Sequence, residues 1–402
     1  MRVPSFHAFR AGRASAVVLD PTPKLWSWGI NTSGQLGLGN TTNRSSPVQV
    51  GALTNWAEVF GGTDRSFAIK TDGTLWSWGD NVAGALGLGN TTNRSSPVQV
   101  GALTDWSGAK ISSRLYTTLA VKSNGTLWAW GSNGYGELGQ GNVSVGRSSP
   151  VQVGALTNWA EVSIGYCNVL AVKTDGTLWS WGFGIYGSLG QGNTTNRSSP
   201  VQVGALTNWS KVFAISVAGL ATKTDGTLWS WGKNNRGQLG QGNTTDRSSP
   251  VQIGALTTWS KIAGTGSLYR SFYTYISGLF SSIKTDGTLW SWGSNAYGQL
   301  GLGNTTDRSS PVQIGALTTW SKLSINGDMM YENGTNTAVI KTDGTLWAWG
   351  TNHTGAFANG LTSPVRRSTP VQLLSGISDW TSVSVIATTA SLNTGMLAIR
   401  TS

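Results

Sequence analysis

The sequence predicts an all-β fold: a seven-bladed β-propeller of four-stranded blades, with the ring closed by N- and C-terminal strands in one blade. Three observations predict this fold. One motif recurs seven times at spacings of 50 to 61 residues, its apolar runs have the length of strands, and the last copy stops where the first begins. Each copy centres on a tryptophan pair, namely Trp26/Trp28, Trp76/Trp78, Trp128/Trp130, Trp179/Trp181, Trp229/Trp231, Trp290/Trp292 and Trp347/Trp349.

One copy, residues 47–79, shows why its segments should be strands. Short apolar runs are separated by Gly, Pro, Asn and Asp, which leaves no room for helices. Asp72-Gly73 lies between two such runs and predicts a hairpin, because Gly supplies the positive φ of a tight turn. In residues 75–78 the side chains alternate, so Trp76 and Trp78 share one face of a sheet packed between neighbours. A third tryptophan per copy, such as Trp56, brings the total to 21 and completes a predicted core between blades.

The two chain ends complete each other. The last copy ends at residues 398–402, where an Asp-Gly turn and a tryptophan pair should follow, and the first copy begins with Leu25-Trp26. We therefore predict one blade that joins residues 397–400 to residues 25–28, which leaves no open sheet edge. Residues 16–19 have the spacing of the same strand and compete for that place.

The predicted organisation is a basic N-terminal arm, residues 1–22, followed by the propeller, residues 23–402. Arg2, Arg10 and Arg13 are the candidates for docking the arm on a partner subunit. The arm lacks the apolar core of a convincing secretory signal. No run of the chain approaches the roughly 18 apolar residues of a membrane helix.

Charged residues are few, but their balance is basic. They make up 11% of the chain and leave a formal net charge of +11, which would suit nucleic acid or an anionic surface. Half of the basic residues occupy two repeated slots, and such slots predict rings around the propeller rather than a one-sided groove. This pattern disfavours nucleic-acid binding. The slots hold Arg44, Arg94, Arg147, Arg197, Arg247, Arg308 and Arg367, and Lys70, Lys122, Lys173, Lys223, Lys284, Lys341 and Arg400.

The inventory of reactive residues predicts a protein that is not an enzyme and uses no cofactor or metal. His7 and His353 are the two histidines, too few and too scattered for a metal site or a Ser-His-Asp set. Cys167 is the single cysteine, so no intrachain disulfide can form and a packed thiol is expected. The Gly-rich loop from Asn31 lacks a following helix and a Lys-Ser/Thr pair, which argues against a phosphate cradle.

The order of strand, Asp-Gly turn, Leu-Trp-Ser-Trp-Gly and Asn-x-x-Gly-Gln-Leu-Gly-x-Gly resembles the regulator of chromosome condensation repeat, a seven-bladed β-propeller family. The resemblance covers nearly the whole chain. The family often places a His eight residues before the turn Gly, whereas these slots hold Arg65, Thr117 and Asn168. The resemblance therefore implies the architecture more strongly than the activity of any member.

The last three copies have enlarged segments between the third tryptophan and the next basic residue. These segments span 25, 21 and 20 residues, against 14 or 16 in the others, and should emerge side by side on one face. Two of them are rich in residue types favoured at protein interfaces, which predicts a partner-binding surface; a plain roof over the propeller is the alternative. The predicted contact residues are Tyr269, Arg270, Phe272, Tyr273, Tyr275, Phe280, Met329, Met330 and Tyr331.

These observations lead to hypotheses from three classes. The main one is a non-enzymatic structural and interaction propeller, a subunit of a virus or phage particle or another extracellular assembly, that binds a protein partner or host surface through one face. Its basis is the low charge, the polar surface rich in Ser, Thr and Asn, and the basic arm. The family resemblance implies instead a guanine-nucleotide exchange factor or a chromatin-associated propeller. A propeller-type protein inhibitor is the third, since a bacterial β-lactamase inhibitor uses a similar face.

Overall fold

The computed structural model describes residues 23–143, 146–268, 276–326, 335–352, 355–358, 365–387 and 394–401. In these residues 28 strands form seven antiparallel sheets of four strands each. The helical content of the described residues is limited to two 3₁₀ turns, Val82–Gly84 and Ile185–Gly187. No helix of this part of the chain is long and apolar enough to cross a membrane. The predicted seven-bladed propeller is confirmed.

The four strands of each blade are hydrogen-bonded in chain order, and blade 7 combines both ends of the chain. For blades 1 to 7, the first strands are Trp56–Gly61, Lys110–Arg114, Trp159–Ile164, Trp209–Ile215, Trp259–Leu268, Trp320–Asn326 and Trp380–Ile386. The second strands are Arg65–Lys70, Thr117–Val121, Asn168–Lys173, Ala218–Lys223, Ile276–Lys284, Asn336–Lys341 and Gly395–Arg400. The third strands are Leu75–Gly79, Leu127–Gly131, Leu178–Gly182, Leu228–Gly232, Leu289–Gly293, Leu346–Asn352 and Lys24–Gly29. The fourth strands are Arg94–Gln99, Arg147–Gln152, Arg197–Gln202, Arg247–Gln252, Arg308–Gln313, Val365–Gln372 and Arg44–Gln49.

The strands differ in burial according to their distance from the propeller axis. First strands of neighbouring blades contact each other and line a central channel. Second strands are buried almost throughout, as in Arg65–Lys70, whereas the fourth strands are half-exposed at the outer rim. The sequence follows this gradient, since the second strands are apolar and the fourth strands read Arg-Ser-Ser-Pro-Val-Gln.

Tryptophans join each blade to its neighbour. The second tryptophan of every pair is completely buried, and its indole Nε1 donates to a carbonyl in the Gly-rich loop of the preceding blade at 2.8–3.0 Å. Trp78, for example, donates to Gln35 at 2.9 Å. Trp56 packs against both Trp76 and Trp78, with ring centroids 6.1 and 6.3 Å apart. This repeated contact is the core between blades that the alternation of the motif predicts.

The Gly-rich loop is held by one asparagine side chain. Asn31 donates from Nδ2 to the carbonyls of Asn40 at 2.9 Å and Thr42 at 3.1 Å, and its Oδ1 accepts the N–H of Leu36 at 2.9 Å. Gly37 has a φ of +74°, and a Cβ there would come within 2.7 Å of the Trp78 indole nitrogen. The glycines therefore allow close packing of the blades. The same hub is formed by Asn81, Asn234 and Asn295.

Blade 7 closes the ring as predicted. The second strand of this blade, Gly395–Arg400, pairs with the N-terminal strand Lys24–Gly29 in continuous register from Lys24 opposite Arg400 to Gly29 opposite Gly395. Its other edge pairs with Trp380–Ile386. The competing residues 16–19 and the whole predicted arm, residues 1–22, lie outside the described residues.

Candidate interaction site

The two ends of the propeller have different chemistry. Because four antiparallel strands follow one another, the connections from first to second and from third to fourth strand lie at one end, which we call the insertion face. The Asp-Gly turns and the connections between blades lie at the other end, which we call the turn face. The three enlarged segments join first and second strands in blades 5, 6 and 7, so they leave the insertion face from consecutive blades.

Most of the predicted contact residues lie outside the described residues. Only Phe280 lies within the described residues, and its side chain is completely buried, with its ring centroid 6.1 Å from that of Trp292. Phe280 therefore stabilises the core between blades instead of offering its ring to a partner. The positions outside the described residues are Tyr269, Arg270, Phe272, Tyr273, Tyr275, Met329, Met330 and Tyr331, and Arg2, Arg10 and Arg13 of the arm.

A ring of arginines surrounds the insertion face. Each fourth strand contains an arginine opposite the glycine that ends the tryptophan-pair motif, as in Arg94 opposite Gly79 and Arg147 opposite Gly131. Register places all seven at the same end, and Arg147 and Arg367 are exposed. The repeated Arg slot of the sequence is thus a cationic rim on one face.

The second basic slot lies at the turn face, where it packs on tryptophans. Lys173 Nζ is 4.9 Å from the ring centroid of Trp159 and 3.7 Å from that of Trp179. The equivalent residues of the other blades lie over equivalent rings at 3.7–5.8 Å. Such contacts contribute about 0.5–2 kcal/mol each. This ring therefore has a structural role that accounts for its repetition.

The turn face also presents apolar side chains. Six leucines in the connections between blades are 39–49% exposed. Two grooves of about 390 and 320 Å³ lie beside them, one lined by Leu317, Trp347 and Pro370 and the other by Leu103, Trp128 and Pro150. This surface is the competitor of the insertion face as a docking site. The leucines are Leu53, Leu103, Leu156, Leu206, Leu256 and Leu317.

The central channel contains a cavity of about 180 Å³ lined by the first strands. Serine hydroxyls in this lining accept backbone N–H groups from the next blade: Ser112 from Ile164 at 3.0 Å, and Ser163 from Ala214 at 2.9 Å. These bonds satisfy amides that face the channel and fix the spacing of neighbouring blades. Two further serines, Ser324 and Ser384, make the same bond.

Arg114 crosses the channel. It ends the first strand of blade 2, and its Nη2 donates to the Gly266 carbonyl at 2.5 Å and lies 3.4 Å from Thr265 Oγ1 in blade 5. The residue is 6% exposed, and burial lowers the pKa of its guanidinium to about 10. No ion pair within the described part of the chain includes Arg114. A buried cation of this kind is costly without a counter-charge.

A second buried arginine, Arg65, is neutralised. Its Nη2 lies 2.9 Å from Asp80 Oδ2, its Nε donates to the Asp80 carbonyl at 3.1 Å, and its Nη1 donates to the carbonyl of Leu115 in the next blade. Burial lowers the pKa of Arg65, and the Asp80 carboxylate opposes this shift. Leu115 has a φ of +47°, and its N–H donates to Thr63 Oγ1 at 3.0 Å. Arg65 thus ties blade 1 to a strained loop of blade 2 beside Arg114.

Cys167 and Glu137, two further potentially reactive groups, are buried in the protein. Burial is the main cause that raises the pKa of Cys167 well above its usual value of 9.0, so the thiol is protonated at neutral pH and a poor nucleophile. Burial also raises the pKa of Glu137. In the described ranges, no group of three His, Cys, Asp or Glu side chains is placed to hold a metal ion.

Comparison with known proteins identifies the class. The model of the Regulator of chromosome condensation (RCC1) repeat matches residues 24–69, 72–113, 124–172, 175–219, 225–267 and 286–324. A second model of this repeat matches residues 110–137. The chain therefore belongs to the family of RCC1-repeat proteins.

Individual relatives agree with this family. Ultraviolet-B receptor UVR8 of Arabidopsis thaliana is 30% identical over 311 residues, which cover 76% of this chain and 68% of UVR8. Protein RCC2 of Mus musculus is 25% identical over 180 residues, which cover 44% of this chain and 25% of RCC2. The solved structure of Prp20p from Saccharomyces cerevisiae superposes with a TM-score of 0.77 at 18% identity, covering 94% of this chain and 91% of that chain. The last likeness shows the fold alone.

These comparisons correct the main functional hypothesis drawn from composition. The assignment to a virus or phage particle is wrong, because the chain belongs to the RCC1-repeat family and its relatives include the receptor UVR8 and Protein RCC2. Composition describes the solvent-facing surface, and it does not encode the partner.

Proposed function

We propose that this protein is a regulatory RCC1-repeat propeller that acts by binding a protein partner through its insertion face, without acid–base or metal chemistry of its own. The observation that carries the proposal is the convergence of two features on that face. The three enlarged segments leave it from consecutive blades, and seven arginines form its rim. A propeller that served only as a spacer would need neither feature.

The charge of the rim favours a partner with an acidic surface. Exposed arginines raise the rate of encounter with an oppositely charged surface and align it before short-range contacts form. Their planar guanidinium groups also suit carboxylates in two-point contacts. The relatives support a regulatory role, since UVR8 is named a receptor and Prp20p is described by its binding to Gsp1p and histones.

Matched charge variants test which face binds. R147Q/R367Q removes two exposed arginines from the insertion face, and K110Q/K322Q removes two exposed lysines from the turn-face end of the channel. Both variants change the net charge equally. We expect the partner that copurifies with the natural protein to be lost from the first variant and retained by the second. Loss from the lysine variant alone would move the site to the turn face, and retention by both would refute a charged docking surface.

Guanine-nucleotide exchange on a small GTPase, or association with chromatin, is the more specific activity within this class. Family membership favours it over the particle subunit discarded above. An exchange factor would release nucleotide by binding and distorting the GTPase. Release of a fluorescent guanine nucleotide from a panel of small GTPases, with R147Q/R367Q as control, measures this directly. Faster nucleotide release with the natural protein, but not with R147Q/R367Q, would identify exchange as the regulatory activity. If the natural protein does not accelerate release, the proposed activity is partner binding without exchange.

A further inference from the structure

Some hydrogen-bond donors in the lining of the central channel have no acceptor among the described residues. Arg114 is the one charged side chain among the described residues that line the cavity. Its guanidinium has five N–H donors, of which Nη2 serves Gly266 and Thr265 in blade 5. Its Nε has no hydrogen-bond partner in the described part of the protein. Donors are therefore left over on a side chain that is 6% exposed.

The serine hydroxyls of the channel add further donors. Ser112, Ser163, Ser324 and Ser384 each accept a backbone N–H through Oγ. A hydroxyl that accepts one bond keeps its own O–H free to donate. Within the described residues, each of these four hydroxyls accepts a hydrogen bond and donates none. The cavity thus offers hydroxyl donors together with a guanidinium.

The turn-face end of the channel has mixed charge with a positive excess. Among the described residues, one ring position holds four lysines and two glutamates, namely Lys110, Lys211, Lys261 and Lys322, and Glu58 and Glu161. Lys211, Lys261 and Lys322 occupy equivalent positions in blades 4, 5 and 6, two residues after the first tryptophan of each first strand. Lys211 donates to the Ser260 carbonyl of the next blade at 2.9 Å, and Lys261 and Lys322 repeat this contact. Burial and the charges of its two neighbours lower the pKa of Lys261. Four lysines against two glutamates leave this end with a net positive charge, which favours the approach of an anion.

We propose that the central channel binds a small oxyanion, a carboxylate or a phosphate, with Arg114 as its counter-ion and the channel serines as hydroxyl donors. The chemistry matches the unmet donors, because a carboxylate or phosphate oxygen accepts several bonds and neutralises the buried charge. The cavity of about 180 Å³ has room for an ion of this size, since a water molecule occupies roughly 30 Å³ in the liquid. The site lies in the channel, so it stands independently of the partner surface at the rim.

Thermal unfolding in sodium acetate and in sodium phosphate, each balanced with sodium chloride to constant ionic strength, tests the proposal. A ligand that binds the folded state raises Tm, and we expect a rise of about 2–4 °C for the preferred oxyanion near saturation. R114Q should abolish the rise. R147Q removes one arginine from the exposed rim instead and should keep it. The acetate and phosphate series show which oxyanion the channel prefers.

Two results would overturn the proposal: no rise in the natural protein, or the same rise in R114Q. A folded R114Q is established by an unchanged far-ultraviolet circular dichroism spectrum and a cooperative transition. If R114Q does not fold, crystals of the natural protein soaked in selenate decide the matter. An anomalous peak within hydrogen-bond distance of Arg114 supports the site, whereas peaks confined to the arginine rim refute it.

Discussion

Ser384 accepts a hydrogen bond from the backbone N–H of Gly61 at 2.7 Å, across the seam where blade 7 meets blade 1. The same bond joins Ser163 to Ala214 at 2.9 Å in the middle of the ring. The seam has additional backbone bonds, in which Asp64 N–H donates to the Ala387 carbonyl at 2.8 Å and Ala387 N–H donates to Gly62 at 3.0 Å. The junction between blade 1 and blade 7, the blade that contains both chain ends, is thus bonded at least as well as an internal junction.

Ser384→Ala should therefore destabilise the protein as much as Ser163→Ala does. Each change leaves one backbone N–H at a blade junction without its acceptor, which costs about 1–3 kcal/mol. Urea denaturation of the two variants beside the natural protein gives the comparison. A much larger loss for Ser384→Ala, or a second transition, would show that the seam is the weak point of the ring.

Arg65→Gln should cost far more stability than Arg236→Gln. Arg65 is 1% exposed, and its removal leaves a mostly buried Asp80 carboxylate and the Leu115 carbonyl without their donor, for about 2–4 kcal/mol. Arg236 lies 3.5 Å from Asp307 in an exposed pair, where about 1 kcal/mol or less is expected. Chemical denaturation at neutral pH measures both. Equal losses would mean that the Arg65 pair is as solvated as the surface pair.

The fold could be predicted because its determinants are local and repeated. The Trp76/Trp78 alternation and the Asp72-Gly73 turn each specify one strand or hairpin, and seven copies specify the ring. The closing blade was predictable since residues 398–401 repeat the strand that precedes the turn in the other copies. In this chain the local preferences of each segment agree with the global fold.

The channel site was not predictable in this way. Arg114 contacts blade 5 from blade 2, and no local pattern encodes a contact across the ring. Strand pairing aligns Arg114 with Gly62 and Gly165 of the neighbouring copies. The sequence hid this alignment, because copy 2 has two extra residues after Trp106. The departure of Arg65 from the family's His slot was a usable signal, yet its pairing with Asp80 required the structure.

Glu137→Gln should stabilise the protein at neutral pH. Glu137 is buried, and its Oε2 accepts the N–H of Tyr135 at 2.7 Å; Gln35 and Gln299 make the same bond through an amide oxygen at 2.8 and 2.9 Å. The amide thus keeps the contact without a buried charge, for a gain of about 1 kcal/mol.

The gain from Glu137→Gln should depend on pH. Burial raises the pKa of Glu137 in the folded state above its ordinary value of 4.5, so the natural protein loses stability as the pH rises through the folded pKa. Below the ordinary value the carboxyl is neutral in both states and the two proteins should be equally stable. Denaturation curves below the ordinary pKa and above the folded pKa of Glu137 test this pH dependence. A gain in stability that persists unchanged in acid would point to packing rather than charge.

Arg114→Met should also stabilise the protein at neutral pH, in contrast to the loss expected for Arg65→Gln. Arg114 is a buried cation whose described contacts are neutral oxygens. Replacing buried ion pairs with apolar groups of similar volume is often neutral or gains about 1–4 kcal/mol, and we expect a gain here because the described part of the chain gives Arg114 no counter-charge. Urea denaturation in chloride buffer, without added acetate or phosphate, is the measurement. Destabilisation by Arg114→Met there would show that the bonds to Thr265 and Gly266 outweigh the cost of the charge.

The pH dependence of this difference has a definite sign. Burial lowers the pKa of Arg114 to about 10 in the folded protein, well below the ordinary value of an arginine, so the folded state releases its proton at a lower pH than the unfolded chain. Below pH 10 the cost of the charge is constant; above it the unfolded chain binds more protons, and the natural protein gains stability relative to Arg114→Met. Denaturation of both proteins from neutral pH to above pH 10 should show that the difference between their free energies of unfolding becomes smaller. A saturating oxyanion should reduce this stability difference already at neutral pH, since the anion neutralises the charge that the methionine removes.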